Sequence, residues 1–165
     1  MKRLLSIIGA ISLVGASTTS LVACNTPQEY TKEQLDKLKE KNNITTKDGI
    51  LEWIAPQEKP FNKVDDKWYY VVWRENNSVN WKIDKFKNHI LEYIKINKIN
   101  DYEIGVSNNR EENRVLFIFK ENKEIVRWNY DNEVYFKSVY RWNLEENNLP
   151  DLIIDDNGNV KFNGE

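Results

Sequence analysis

The sequence predicts an α+β fold: an antiparallel meander sheet with one face covered by an amphipathic helix, preceded by short N-terminal helices. Two observations support this prediction. Apolar residues recur at helical spacing before residue 55 and again over residues 85–97. Between residues 101 and 143, short aromatic and β-branched runs alternate with turns that contain Asn or Asp. Connections this short force neighbouring strands to be antiparallel.

The two N-terminal helices are predicted from their end signals. Thr31-Lys32-Glu33-Gln34 has the form of a capping box, so a helix should begin at Thr31 and continue to about Lys41. Its few apolar residues predict a stalk or a weakly docked helix. A second short helix is predicted over Lys47–Ile54, and Pro56 then ends regular structure.

The remaining elements are strands and one covering helix. Lys67–Arg74 is aromatic and β-branched, which predicts a well-covered strand. Asp84 should cap the amphipathic helix Lys85–Asn97, whose apolar stripe consists of Phe86, Ile90, Leu91 and Ile94. Four further strands and a C-terminal hairpin around Asn157-Gly158 complete the prediction: 101–106, 114–120, 124–130, 133–143, and 152–154 with 160–162.

The N-terminus has the organisation of an export signal. Lys2 and Arg3 precede an apolar stretch of about 11 residues, which is short for a bilayer span of roughly 20. Small and polar residues follow, and then Leu21-Val22-Ala23-Cys24, which contains the only cysteine of the chain. These four residues resemble the lipobox of bacterial lipoproteins. An uncleaved helical anchor over residues 4–23, or an ordinary signal peptide with an unmodified Cys24, are the alternatives.

The lipobox resemblance implies a mode of anchoring. In such lipoproteins the cysteine thiol carries a diacylglyceryl group, and a signal peptidase cleaves immediately before the cysteine. Two acyl chains hold a protein firmly, whereas one chain binds a membrane only marginally. The resemblance therefore implies cleavage before Cys24, diacylglyceryl on Cys24, and a location on the extracellular face of the cell membrane.

The residue usage extends the resemblance and bounds the domains. Asn, Lys, Ile and Glu dominate the sequence, and with the leader this composition is similar to that of the surface lipoproteins of wall-less bacteria, the mollicutes. The predicted organisation is a signal peptide over residues 1–23, a tether and polar helix over 24–45, and a single globular α+β domain over 46–165.

Charge and cysteine content exclude several functions. Loss of Lys2 and Arg3 with the leader changes the formal net charge from −2 to −4. A mildly acidic domain of this kind argues against nucleic acid as a partner, since phosphate neutralisation needs a basic face. Lipidation of Cys24 would leave no thiol for a disulfide, a thiolate metal site or a nucleophile. No cofactor is predicted.

Catalytic and metal-binding patterns are weak. His89 is the only histidine, which rules out a two-histidine metal site, and it is expected at the boundary of the covering helix. The acidic segment before Gly158 fails as a calcium loop, because Ile153 and Gly164 would occupy positions that need carboxylates. Neither a glycine-rich phosphate loop nor a Gly-x-Ser-x-Gly elbow occurs in the sequence. The chain is therefore predicted to have no catalytic residues and no metal site.

Aromatic residues are the strongest binding signal in the sequence. The chain has 6 Trp, 8 Tyr and 6 Phe, and the triplet Arg-Trp-Asn occurs at 127–129 and again at 141–143. Indoles beside polar groups are typical of sugar-binding faces, but strand aromatics also build cores. Trp73, Trp128 and Trp142 are therefore candidate binding aromatics, with the core as the competing interpretation.

Three functional hypotheses follow in order. The first is a non-enzymatic surface lipoprotein whose domain is an interaction or adhesion module for a host protein or glycan. The second is an accessory solute-binding lipoprotein of a transporter, and the third is an enzyme of unidentified type. An adhesin should present Trp or Tyr in an exposed patch, whereas a solute binder should contain a pocket of a few hundred Å³ with convergent polar groups.

Overall fold

A computed structural model describes residues 30–47, 49–55, 58–108 and 114–164. The predicted leader, the predicted lipobox residues 21–23 and the predicted lipid attachment site at Cys24 lie outside the described residues. Over these ranges the fold is mixed α+β but mostly β, which confirms the predicted class at that level. No helix in the described part of the chain is long and apolar enough to cross a membrane.

The described residues form one α-helix, three 3-10 turns and ten strands. The helix α1 covers Lys32–Lys41, and the 3-10 turns cover Pro60–Asn62, Trp128–Tyr130 and Glu146–Asn148. The strands, in chain order, are β1 Leu51–Ile54, β2 Trp68–Trp73, β3 Lys82–Lys87, β4 Ile94–Ile99, β5 Tyr102–Asn108, β6 Arg114–Lys120, β7 Lys123–Arg127, β8 Phe136–Trp142, β9 Leu152–Ile154 and β10 Val160–Phe162.

The strands form two four-stranded sheets and a hairpin, all antiparallel. The first sheet has the order β1-β8-β2-β3, the second has the order β4-β5-β6-β7, and β9 pairs with β10. The second sheet is a meander, as predicted for β5 to β7. The predicted position of β8 next to β7 is wrong. The turn Trp128–Tyr130 ends β7, and β8 then lies between β1 and β2.

The first sheet is the middle of three layers. Tyr69, Val71 and Trp73 of β2 belong to a core shared with the second sheet. Tyr70 and Val72, on the opposite face, belong to a second core together with residues of α1 and of the β9–β10 hairpin. A strand that is buried on both faces must be apolar at every position, which explains the uninterrupted run in β2.

The predicted amphipathic helix over Lys85–Asn97 is wrong. The segment contains the end of β3, a connection over residues 88–93 and the start of β4. Buried Arg114 donates to the carbonyl oxygens of Leu91 and Glu92 at 3.2 and 2.9 Å. A helix would direct these carbonyls to amides four residues later, so this contact from β6 competes with the helix.

The predicted helix over Lys47–Ile54 is also wrong, because its second half is strand β1. Leu51 pairs with Trp142 and Ile54 pairs with Val139 of β8. A four-residue apolar run does not distinguish a strand from a buried helical turn. Pairing with an inner strand decides between the two, since it satisfies the backbone of β1 and buries Leu51 and Trp53.

Two local predictions are confirmed. Thr31 caps α1: its Oγ1 accepts from the Gln34 amide at 3.3 Å, and its own amide donates to Gln34 Oε1 at 2.9 Å. The C-terminal hairpin pairs Ile154 with Val160. Gly158 lies at a φ of +79° in its turn, a conformation that favours glycine.

Candidate binding groove

The three tryptophans proposed as binding aromatics are core residues. Trp73, Trp128 and Trp142 are 0, 4 and 4% exposed. The Trp73 indole nitrogen donates to Asp84 Oδ2 at 2.7 Å, and the Trp142 indole nitrogen donates to the Glu145 carbonyl at 3.0 Å. Trp73 and Trp142 lie on the inner strands β2 and β8, and Trp128 lies in the 3-10 turn after β7 with its ring in the core between the two sheets. These rings are therefore not available for stacking on a ligand. The structure therefore supports the core interpretation.

Both arginines of the Arg-Trp-Asn triplets, and the second asparagine, bind neighbouring acidic side chains. Glu52 Oε2 accepts from Arg141 Nη2 at 2.7 Å and from Asn143 Nδ2 at 2.8 Å. Arg127 Nε donates to Glu124 Oε1 at 2.7 Å. The first triplet spans the end of β7 and the following 3-10 turn, and the second spans the end of β8 in the other sheet. The two triplets do not come together into one site.

Tyr93 is an aromatic side chain that remains 41% exposed. Its hydroxyl donates to Glu103 Oε1 at 2.6 Å, and Glu103 also pairs with Lys95 at 2.9 Å. Partial burial raises the pKa of Tyr93, and the Tyr93 hydrogen bond lowers the pKa of Glu103. The ring is held edge-on to Phe119 at a centroid distance of 6.3 Å. Tyr93 is thus fixed by its own sheet.

A groove of about 290 Å³ lies between β3 and the segment that enters β9. Its walls are formed by Tyr70, Ile83, Asp84, Lys85, Pro150, Asp151 and Leu152. Tyr70, Ile83 and Leu152 supply apolar surface. Lys85 supplies a positive charge, and Asp84 and Asp151 supply negative charges. This combination has the size and the mixture of apolar and polar groups expected of a small binding site.

Hydrogen bonds hold the two walls of the groove together. The Tyr70 hydroxyl donates to the Pro150 carbonyl at 3.3 Å, and burial raises the pKa of Tyr70 to about 12, so the hydroxyl remains a donor at neutral pH. Asn163 donates through Nδ2 to Asp151 Oδ2 at 2.6 Å and through its amide to the Asp151 carbonyl at 2.9 Å. The C-terminal hairpin therefore fixes the far wall.

Lys85 is the one lysine of β3 without an ion pair in the described structure, although Asp84 and Asp151 also line the groove. The other two lysines of β3 are in ion pairs: Lys82 contacts Glu75, and Lys87 lies 2.8 Å from Glu146. Lys85 Nζ lies 5.7 Å from the centre of the Trp68 ring, and it has no ion-pair partner among the described residues. A ligand anion could therefore pair with Lys85 without breaking an existing ion pair.

The side chains that suggested catalysis or metal binding are engaged elsewhere. His89 is exposed in the 88–93 connection, not at a helix boundary, with Nδ1 2.9 Å from the Lys87 carbonyl oxygen. Asp155 accepts from the amides of Asn157 and Asn159, both at 2.9 Å, as a side chain that stabilises a turn does. Across the ranges that the structure describes, no group of three or more His, Cys, Asp and Glu side chains could hold a metal ion.

The sequence interpretation missed the groove because Lys85 was assigned to a helix. Three lysines among the six residues 82–87 were the available signal, since lysines are common on edge strands. No protein-family model matches the chain, and no similar curated protein or solved structure was found. The groove and the predicted export signal are therefore the two features that bear on function.

Proposed function

We propose that this chain is a lipid-anchored surface lipoprotein whose globular part is a non-enzymatic interaction module, and that the module binds a host protein or glycan in the groove between β3 and residues 150–152. The groove carries the proposal, because it places apolar walls, a phenol and an exposed lysine around one concave surface. The export signal and the lipobox support an extracellular location at the membrane.

The proposed anchor is close to the described fold in sequence. Six residues separate Cys24 from Thr31, and a fully extended chain of that length spans about 20 Å. A diacylglyceryl group on Cys24 would therefore hold α1 within that distance of the bilayer surface. A partner would therefore have to come close to the membrane to bind the module. The surface or the matrix of a host cell in contact with the bacterium meets this condition.

A second function is favoured by the volume of the same groove. About 290 Å³ is enough for a small solute, which suits an accessory solute-binding lipoprotein of a transporter. We place this function second because one wall of the groove is an edge strand and Lys85 is exposed. A site along an edge suits a ligand that extends beyond the groove.

The proposal is tested with vesicles that display the complete lipidated chain. Their attachment to immobilised host extracellular proteins and glycans would be compared for the native chain, Lys85→Glu and Lys123→Glu. Lys123 is an exposed lysine on β7 in the other sheet, so its reversal makes the same charge change far from the groove. We expect attachment that Lys85→Glu abolishes and Lys123→Glu retains.

Two results would contradict the proposal. Vesicles that attach to no surface in the panel would leave the interaction module without a partner. Attachment that both reversals reduce equally would show a general effect of net charge instead of a site at the groove. Saturable uptake of a small solute, with no attachment, would favour the transporter-associated function.

A further inference from the structure

We propose that the ligand of this groove is an extended polypeptide segment that adds to the open edge of β3 as a further antiparallel or parallel strand. One of its side chains would be acidic and would pair with Lys85. Another, two residues away, would be apolar and would pack against Ile83 and Leu152. This inference rests on the proposed function, and it names the chemical class of the partner.

The backbone of β3 has an unpaired edge. The strand pairs with β2 on one side, and it ends the order β1-β8-β2-β3. Apart from that ladder, the one hydrogen bond to the backbone of residues 82–87 within the described structure comes near its end, between His89 Nδ1 and the Lys87 carbonyl oxygen. An edge of alternating amides and carbonyls is complementary to another extended polypeptide.

The side chains beside this edge set the spacing in the ligand. Ile83 and Lys85 are two residues apart, so they lie on the same face of the sheet, and they lie opposite Val72 and Tyr70 of β2. An added strand has the same alternation, and its residues i and i+2 would face the groove. Its apolar side chain would then reach Ile83, and its next inward side chain would reach Lys85.

The Trp68 ring and the lysines of β3 favour a peptide over a glycan and over a second copy of this chain. A glycan would need a flat aromatic face, and the nearby Trp68 ring already lies beneath the Lys85 ammonium at 5.7 Å. A second copy of this chain would bring β3 against itself. Three of the six residues in β3 are lysines, and lysines on an edge strand oppose such self-pairing. An extended peptide meets neither obstacle.

The carboxylates that line the groove already accept hydrogen bonds: Asp84 accepts from Trp73 Nε1 at 2.7 Å and from Asn97 Nδ2 at 3.0 Å, and Asp151 accepts from Asn163 Nδ2 at 2.6 Å. Lys85 is therefore the charged side chain of the groove that an acidic residue of the peptide would pair with.

The experiment selects from phage-displayed random heptapeptides on the complete lipidated chain in detergent micelles. The native chain and Lys123→Glu should both enrich peptides that carry an acidic residue two positions from a large apolar residue. Lys85→Glu should enrich peptides with a basic residue in place of the acidic one. In fluorescence-polarisation titrations, the peptide enriched on the native chain should bind Lys85→Glu about tenfold more weakly or worse.

Controls separate this inference from the proposed function. Because Lys85 is exposed, both reversals should keep the native circular dichroism, and Lys85→Gln serves if Lys85→Glu does not fold. No enriched peptide, or enrichment that the reversal of Lys85 leaves unchanged, would overturn the peptide inference. Lys85-dependent attachment of vesicles to a glycan would then leave the interaction module standing, whereas failure of both experiments would overturn both.

Discussion

Substitution of Gly105 by alanine tests how the outer face of the second sheet is built. Gly105 lies on β5, and a Cβ atom added there would lie 2.5 Å from Tyr93 Cε2, 2.6 Å from Tyr93 Oη and 2.7 Å from the Ile94 carbonyl oxygen. All three distances are well inside van der Waals contact. The Tyr93 ring therefore occupies the space that a side chain at position 105 would need.

The cost of Gly105→Ala can be estimated from these contacts. Overpacking costs about 1–3 kcal/mol. Displacement of Tyr93 would also lose its hydrogen bond to Glu103 and its edge-on contact with Phe119, each worth about 1 kcal/mol at a half-exposed site. Alanine recovers about 0.5–1 kcal/mol because it restricts the unfolded chain more than glycine does. The expected net loss in the free energy of unfolding is therefore about 2–4.5 kcal/mol.

A double-mutant cycle in urea measures the coupling between these two residues. In a Tyr93→Ala background, two of the three close contacts disappear and the Ile94 carbonyl contact remains. Gly105→Ala should then cost about 1–2 kcal/mol less than it does in the native chain. Strictly additive effects, or a native-background loss below about 0.5 kcal/mol, would show that Tyr93 does not occupy this space.

Three further predictions concern the lipid anchor, the buried Arg114 and the loss of stability at acidic pH. Cys24→Ala should abolish labelling by radioactive palmitate and leave a larger precursor on a gel, and normal processing would refute the lipobox interpretation. Arg114→Lys should lower the free energy of unfolding, measured in urea, by about 3 kcal/mol. The reason is that lysine cannot replace the planar guanidinium group that donates to the fully buried Asn88. A loss below about 1 kcal/mol would contradict this. Folding lowers the pKa of Glu103 from its ordinary 4.5, so its stabilisation is present above pH 4.5 and lost as the pH falls through the lowered value. The melting temperatures of the native chain and of Glu103→Gln would be compared as the pH is lowered. The native chain should be more stable near neutral pH, and this difference should shrink in acid. A difference that does not change with pH would contradict this.

Local signals predicted the elements whose structure is decided locally. The capping box at Thr31, the strand β6 and the Asn157-Gly158 hairpin depend on residues close in sequence. The helix predicted over residues 85–97 failed because its apolar spacing fits a helix, while the hydrogen bonds that decide its structure come from Arg114, 22 and 23 residues away. A pattern within the segment contains no information about that partner.

The candidate site was less predictable than the fold. The tryptophan-rich strands were visible in the sequence, but whether an indole faces a core or solvent depends on which strands are inner ones. That order is not sequential, since β8 lies between β1 and β2. The groove brings Tyr70 next to Pro150, 80 residues away. Its lysine could be recognised as a binding residue only after β3 was known to be an edge strand.

Hydrogen exchange on the anchored chain tests the central claim most directly. Vesicles that display the complete lipidated chain would be incubated with host extracellular matrix, and amide exchange would be followed by mass spectrometry. We predict slower exchange over residues 82–87 of β3 and unchanged exchange over residues 123–127 of β7, an edge strand of the second sheet. Unchanged exchange in β3, or equal protection of both strands, would contradict a binding site at the groove.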